Sequence, residues 1–436
     1  MAGGNSERYD RSVKCWPYQS SVLKGAVFLI GCLSAVAALG QTNPAVIWSA
    51  RVHDQGLASM AVSPDGTMVA TGAGDRTIKF LRVSDGAVSR TIPVPENFVS
   101  VAFSPDGTLL ASCGSSSLQA WLRLWRVSDG TLLRSILTVS DMSGNRLPLA
   151  FSPDAGLVAA VVNRTNVGMW QVSDGTLARV LRGSKGGSIN SIAFSPDGAR
   201  VAVASGIRGF DVGVHVVRVA DGTLERSVVP DNDYGVAQAT FSPDSTLLAM
   251  RPFSYSSFKG NVEIYRVSDG GLSRTFMMKG DAVAFSLDGA ALVTTWYDTI
   301  RGRAVVEFWR VSDWTLVAAY DDLPWLGGRF GPVAFVPAGD RVVLGGNVTM
   351  TIDMNTTSRG TLTMIRAPVF FTGTTAIAGG SGEIRWTGGP GPYQVQVRRD
   401  WSSPWSNLGT PVNGNSAVVP ATGPETYYRL VVPDGF

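Results

Sequence analysis

The chain has 436 residues, of which 44% are hydrophobic and 16% are charged, and its formal net charge is +3. This length allows two or three ordinary domains or one large repeat array. Lys and Arg are not clustered, so the chain lacks the basic surface that nucleic acid requires, and no nucleic-acid partner is expected. Only Cys113 lies outside the N-terminal segment, so no disulfide framework is predicted.

Residues 1–40 predict a secretory signal peptide. A polar segment with basic residues precedes the apolar stretch 25–40, which ends in Ala38-Leu39-Gly40. The apolar core, about 15 residues, is short for a membrane-spanning helix. We therefore expect cleavage before Gln41, a secreted or periplasmic location and no membrane span after processing. Leu29-Ile30-Gly31-Cys32 also resembles a bacterial lipobox, so a lipoprotein anchored to the cell envelope through Cys32 is the alternative.

A short word recurs through most of the remaining chain. Its clearest copy is Ala102-Phe103-Ser104-Pro105-Asp106-Gly107, and successive copies, counted from Ser63, lie 41, 48, 43, 47, 44 and 50 residues apart. Such periods are typical of repeat architectures. Apolar residues alternate on both sides of the word. Ser-Pro-Asp-Gly suits a type I turn followed by a glycine with positive φ, so each copy predicts a β-hairpin.

A second word follows each copy of the first after 21 to 26 residues. It reads Val83-Ser84-Asp85-Gly86 in the first unit and is faint in the seventh, at Thr357-Ser358-Arg359-Gly360. Apolar runs flank it, so it predicts a second hairpin and four strands per unit. The arginines that precede it recur with the repeat and are interpreted as structural. They are Arg82, Arg126, Arg218, Arg266 and Arg310.

The paired words resemble those of the WD-repeat β-propeller family, over about three quarters of the chain. The resemblance implies a seven-bladed ring over 41–366, closed by a blade shared between the first and last segments. Either 45–52 or 361–366 could be the outer strand of blade seven, and we favour 45–52. The family's Trp-Asp is Trp-Arg here. Its Gly-His is absent apart from His53, so its Ser/Thr-His-Asp-Trp network is not expected in most blades, as in degenerate bacterial repeats.

Both words are missing from residues 367–436. Alternating runs such as Glu383-Ile384-Arg385-Trp386 are separated there by Gly, Pro and Asn, which predicts a small β-sandwich. The segment is similar to the fibronectin type III/Ig-like modules that end many secreted bacterial proteins. The predicted fold class of the chain is therefore all-β, a seven-bladed β-propeller followed by a small β-sandwich.

Few residues suit catalysis. The chain has two histidines, His53 and His215, and no His or Cys pair at zinc-ligand spacing, so neither a metal nor a cofactor is expected. The aspartates recur at turn positions, which favours turn chemistry. We therefore predict no enzyme but a protein- or glycan-binding scaffold of the bacterial envelope or exterior. The alternative is a propeller-fold hydrolase or lactonase with a metal at the central channel.

Binding residues are expected in the loops before the first strand of each blade, because in a propeller these loops ring the channel mouth. They contain amides, arginines and aromatic residues, a mixture that suits a protein or glycan surface better than one reaction centre. The candidates are Asn97, Asn145, Arg146, Asn190, Tyr234, Lys279, Trp325 and Arg329.

Overall fold

The computed structural model describes residues 46–116, 119–139, 147–163, 165–183, 188–206, 212–230, 235–252, 261–276, 280–298, 303–320, 323, 330–337, 339, 341–352, 355–367, 370–377, 381–387, 394–398, 406–408, 416–420 and 427–431. These residues form seven four-stranded sheets and two three-stranded sheets, and no helix occurs among them. The predicted signal peptide, with Gln41 and Cys32, lies outside the described residues. Within the described part of the chain, no helix is long and apolar enough to cross a membrane.

Six of the four-stranded sheets, blades 1 to 6, each consist of four consecutive antiparallel strands. Blade 1 comprises β2 (Leu57–Val62), β3 (Met68–Ala73), β4 (Thr77–Arg82) and β5 (Val88–Pro93). Blade 2 comprises β6 (Asn97–Phe103), β7 (Leu109–Ser116), β8 (Gln119–Arg126) and β9 (Leu132–Val139). Blade 3 comprises β10 (Leu149–Phe151), β11 (Leu157–Asn163), β12 (Asn166–Gln171) and β13 (Leu177–Arg182).

The next three blades repeat this order. Blade 4 comprises β14 (Ile189–Phe194), β15 (Arg200–Ser205), β16 (Gly213–Arg218) and β17 (Leu224–Val228). Blade 5 comprises β18 (Val236–Phe241), β19 (Leu247–Pro252), β20 (Val262–Arg266) and β21 (Leu272–Phe276). Blade 6 comprises β22 (Gly280–Phe285), β23 (Ala291–Asp298), β24 (Arg303–Arg310) and β25 (Thr315–Tyr320).

Blade 7 is built from both ends of the repeat region. Its strands are β26 (Phe330–Phe335), β27 (Arg341–Ile352), β28 (Asn355–Arg366) and, outermost, β1 (Val46–His53). β1 pairs antiparallel with β28, with Trp48 opposite Met364 and Ala50 opposite Leu362. The preference for 45–52 as the closing strand is therefore confirmed, and 361–366 belongs to the third strand.

The faint seventh copy of the second word was wrongly interpreted as a turn. Thr357-Ser358-Arg359-Gly360 lies inside β28, whose register with β27 is continuous from Arg341↔Arg366 to Ile352↔Asn355. The reason is topological. The fourth strand of this blade is β1, which precedes blade 1 in the chain, so no turn connects the third strand to it.

The seven blades close into a ring. The first strand of each blade contacts the first strands of both neighbouring blades, and β26 contacts β2. Side chains three residues before the end of the first strand add polar contacts between blades. The Ser59 hydroxyl contacts the N–H and carbonyl of Val101 at 3.2 and 3.4 Å, and the Gln238 amide contacts those of Val283 at 3.3 and 2.9 Å. A closed ring pairs or covers the inner sheet edges that an open array would expose.

Apolar side chains fill the spaces between the sheets. Ile78 and Phe80 of blade 1 are buried with Leu110 and Trp125 of blade 2 in one continuous cluster. Phe308 of blade 6 and Phe335 of blade 7 pack edge to face, with ring centroids 6.2 Å apart. Because each blade is covered by its two neighbours, no blade hides its apolar faces alone.

Beyond the ring, the chain forms two separate three-stranded sheets. One contains β29 (Phe370–Ile377), β30 (Ser381–Thr387) and β33 (Ser416–Pro420) in that order. In the other, β31 (Gln394–Arg398) lies between β32 (Ser406–Asn407) and β34 (Tyr427–Val431).

Candidate binding surface

The two ends of the ring differ in what they carry. The connections between the first and second strands and between the third and fourth strands hold the recurring words, and we call their end the turn face. The connections between the second and third strands, and those between blades, lie at the opposite end because the strands are antiparallel. We call that end the loop face.

The aspartates of the first word are used by their own turns. In blade 1 the Gly66 N–H donates to the Ser63 carbonyl at 2.9 Å, and the Asp65 carboxylate accepts from the Ser63 hydroxyl and the Thr67 N–H. These bonds, the serine hydroxyl first, lower the pKa of Asp65. The same two hydrogen bonds, from the serine hydroxyl and from the backbone N–H two residues after the aspartate, recur at Asp106, Asp154, Asp197, Asp244 and Asp288. The prediction of turn chemistry is confirmed.

The arginines of the second word pair with the aspartate three residues later. The Arg82 guanidinium lies 2.7 Å from the Asp85 carboxylate, and both side chains are half-exposed. Equivalent pairs are Arg126–Asp129, Arg218–Asp221, Arg266–Asp269 and Arg310–Asp313. The structural interpretation of these arginines is confirmed. Each exposed pair contributes little stability alone.

A second set of arginines, which sequence reasoning missed, connects neighbouring blades. Arg90 on β5 donates to the carbonyls of Val127 and Ser128 in blade 2, at 2.6 and 2.8 Å. Arg134 reaches blade 3 and Arg226 reaches blade 5 in the same way. The sequence does contain a pattern that could have identified them, because an arginine stands five residues after the second-word aspartate at positions 90, 134, 179, 226 and 274. Blade 6 has Ala318 there, and blade 7 has no corresponding turn.

Two of the eight predicted binding residues lie among the described residues. Asn190 Nδ2 donates to the carbonyl of Val236 in blade 5 at 3.0 Å, so this amide is engaged between blades. Asn97, at the start of β6, accepts a hydrogen bond from Arg76 Nε at 2.8 Å. The other six lie outside the described residues. They are Asn145, Arg146, Tyr234, Lys279, Trp325 and Arg329.

Two residues next to Asn97 have left-handed backbone conformations. Five described residues other than glycine have positive φ, and three of them occupy a glycine position of a turn-face word, namely Ala155, Ser245 and Trp314. The other two are Arg76, with φ 60°, and Phe98, with φ 52°, and both lie on the loop face beside Asn97. Phe98 is 42% exposed. A bulky residue with positive φ is uncommon and strained.

The model of a family described as WD domain, G-beta repeat, matches residues 46–80, 86–125 and 175–211. The ring is a seven-bladed β-propeller with WD repeats. Each match begins on an outer strand or in the turn before one, and continues into the next blade. A repeat along the chain is thus offset from a blade by one strand, which is why β1 closes blade 7. No curated protein matches the chain.

The propeller keeps most of the family's polar network in blade 1 alone among the described blades. His53 is 1% exposed, with Nδ1 2.9 Å from Asp75 Oδ2 and Nε2 2.9 Å from Thr71 Oγ1. Burial would raise the pKa of Asp75, but hydrogen bonds from His53 and Thr77 outweigh it and lower that pKa to about 2. The turn that contains Arg76 is therefore held in place by the hydrogen bond between Asp75 and the buried His53.

An ion pair supports the loop end of blade 2. Glu96 is 2% exposed, and its carboxylate accepts from Arg123 Nη2 at 2.7 Å and Nε at 3.0 Å. The Arg123 guanidinium lies 5.5 Å from the centre of the Trp121 ring. A Cβ at Gly114 would lie 2.6 Å from Glu96 Cβ, so glycine makes room for this pair. Among the described residues, no group of three or more His, Cys, Asp or Glu could hold a metal ion.

Proposed function

We propose that this protein is a non-catalytic scaffold that binds a partner protein through the loop face of its propeller. The observation that carries the proposal is Phe98, an exposed aromatic residue held in a strained conformation next to Asn97 and Arg76. The recurring charged residues support the non-catalytic part of the proposal, because their side chains are engaged in turns and in contacts between blades. WD propellers commonly bind proteins, which agrees with this use of the ring.

The site of action is proposed from the sequence. We propose export through the segment 1–40 to the bacterial exterior or periplasm, with a lipid anchor at Cys32 as the alternative. We also propose that 367–436 is a fibronectin type III-like sandwich that spaces or targets the propeller. Intact-mass measurement of the mature protein distinguishes an N-terminus at Gln41 from a lipidated Cys32.

Site-specific cross-linking tests the binding face. A photo-cross-linker is attached to Gln119→Cys on the loop face or to Ser84→Cys on the turn face, in a full chain that carries Cys15→Ser and Cys32→Ser, with the buried Cys113 left in place. Extracellular and envelope fractions of the source organism supply partners. We expect one protein to cross-link reproducibly from position 119 and not from 84. Cross-links from 84 alone would contradict the loop-face assignment. A glycan as the only ligand, or hydrolase activity without a partner, would contradict protein scaffolding.

A further inference from the structure

Three bulky side chains lie on one rung across blade 2. The bulge formed by Phe98 and Val99 on β6 lies opposite Gly114, which pairs with Trp121 on β8, and Trp121 pairs with Leu137 on β9. Adjacent strands are separated by about 4.8 Å, so this rung spans roughly 14 Å. Phe98 is 42% and Leu137 is 47% exposed, and Trp121 is half-buried. The loop end of blade 2 therefore exposes apolar side chains at the two ends of this rung, Phe98 and Leu137, with the Glu96–Arg123 pair between them, and we call this rung the strip.

The charge beside this strip is positive. Arg76 is exposed, donates through Nε to Asn97, and has no carboxylate partner among the residues that the structure describes. Arg123 is neutralised by Glu96, and Arg51 on the same face is neutralised by Asp54 at 2.6 Å. Arg76 thus makes no ion pair with any described carboxylate, and it lies at the end of the strip occupied by Phe98.

The backbone at positions 76 and 98 does not favour these two side chains. Glycine is the residue that suits positive φ, at both 76 and 98. A non-glycine residue with positive φ costs stability, and Phe98 still leaves 42% of its surface exposed. Exposed aromatic and arginine side chains are the usual anchors of protein interfaces.

We infer that the loop end of blade 2 binds an apolar segment of a partner protein that carries a carboxylate, with Phe98 and Leu137 contacting the apolar residues and Arg76 pairing with the carboxylate. This inference rests on the proposed binding function. Charge complementarity selects the occupant, because a basic segment would place like charge against Arg76. The carboxylate is either an Asp or Glu side chain or a chain terminus, and the two share this chemistry.

The test uses the full chain and a phage-displayed library of random dodecamer peptides as the probe. We expect enriched peptides to combine Asp or Glu with neighbouring aromatic or aliphatic residues. These peptides are then synthesised with free and with amidated C-termini for fluorescence anisotropy. Retained binding of the amides assigns the carboxylate to a side chain, and its loss assigns the carboxylate to the terminus.

Glycine variants separate binding from folding. Phe98→Gly and Arg76→Gly relieve the backbone and are expected to fold, yet each should weaken peptide binding by about tenfold or more. Ala155→Gly and Ser245→Gly make the same change on the turn face and should leave binding unchanged. Thermal unfolding of all four variants confirms that they are folded.

The outcomes distinguish the two proposals. Acidic apolar peptides that lose affinity in both loop-face variants support the inference. Basic peptides, or peptides that bind Phe98→Gly and Arg76→Gly as tightly as the unsubstituted protein, overturn the inference and leave the proposed scaffold standing. A library that yields no peptide above background speaks against both.

Discussion

The indole N–H of Trp48 donates a hydrogen bond to the carbonyl of Val83, 2.8 Å away, and so connects blade 7 to blade 1. Trp48 lies on β1, the outer strand of blade 7, and Val83 begins the second-word turn of blade 1. The indole of Trp48 also covers Gly86, where an added Cβ would lie 2.6 Å from Trp48 Cε3. Trp48 thus takes at the closing interface the place that Arg90 takes between blades 1 and 2.

Removing Trp48 should weaken the closure of the ring. Trp48→Phe keeps an apolar ring but leaves the Val83 carbonyl without its donor, which should cost about 1–3 kcal/mol of unfolding free energy. Trp48→Ala should cost about 3–5 kcal/mol because it also leaves a cavity. Urea unfolding of the full chain measures both. A loss below about 0.5 kcal/mol in Trp48→Ala would show that this contact does not hold the ring closed.

The arginines between blades should not tolerate lysine. Arg90→Lys keeps the charge but cannot donate to the carbonyls of Val127 and Ser128 together, so we expect a loss of about 1–2 kcal/mol. Arg182→Lys is the matched control, since Arg182 is exposed at the end of an outer strand and should change stability by less than about 0.5 kcal/mol. Equal effects of the two substitutions in urea unfolding would argue against a contribution from these contacts.

Glycine should stabilise the turn face where other residues have left-handed backbone. Ala155 and Ser245 have φ of 57° and 62° at word positions that are glycine in other blades. Ala155→Gly should raise the unfolding free energy by about 1 kcal/mol. Ser245→Gly should raise it less, because it also removes the hydroxyl that accepts a hydrogen bond from the Asp197 N–H at 3.1 Å. The reverse change, Gly66→Ala, should lower it, because its Cβ would also lie 3.3 Å from Pro337 Cδ of blade 7. Thermal unfolding checks the signs, and a destabilised Ala155→Gly would refute the argument.

A buried carboxyl in blade 6 should make stability depend on pH. Burial raises the pKa of Glu307 to about 7, and the nearby Trp296 indole opposes only part of the shift. Between pH 4.5 and 7 the folded protein keeps a proton that the unfolded chain releases, so stability falls as pH rises through this window. Glu307→Gln should remove this fall, which amounts to about 3 kcal/mol.

Urea midpoints at pH 5 and pH 8 measure that difference. Glu225 is the control of opposite sign, because hydrogen bonds from Arg200 and then Arg218 lower its pKa. Its stabilising effect is present above its ordinary pKa and is lost on acidification, so Glu225→Gln should not make the protein more stable at pH 8. An unchanged pH dependence in Glu307→Gln would show that this carboxyl is not the titrating group.

The local parts of the fold were predictable. Ser63 to Gly66 form their turn with their own hydroxyl, carboxylate and backbone, so the word by itself predicts the hairpin. The count of words likewise predicted seven blades. The faint word at 357–360 was misleading because a turn there depends on where the next strand comes from, and that strand comes from the other end of the repeat region.

The candidate site was only partly predictable. Asn97 was predicted as a binding residue from its distance to the first word. Nothing near it in sequence indicated that Arg76, 21 residues away, would contact it, or that Phe98 would have positive φ. The interblade arginines did leave a periodic signal, at a fixed distance from the second-word aspartate. Their role was hidden because their acceptors lie 37 to 43 residues further along the chain.

By itself, the sequence determined the repeat, the two turns in each unit and the number of blades, because those features depend on contacts within a few residues. Only the tertiary structure decided that β1 completes blade 7, that Trp48 meets Val83, and that Arg76, Asn97 and Phe98 share one corner of the loop face. These contacts join neighbouring blades, and they form only when closure of the ring fixes the position of each blade against the next.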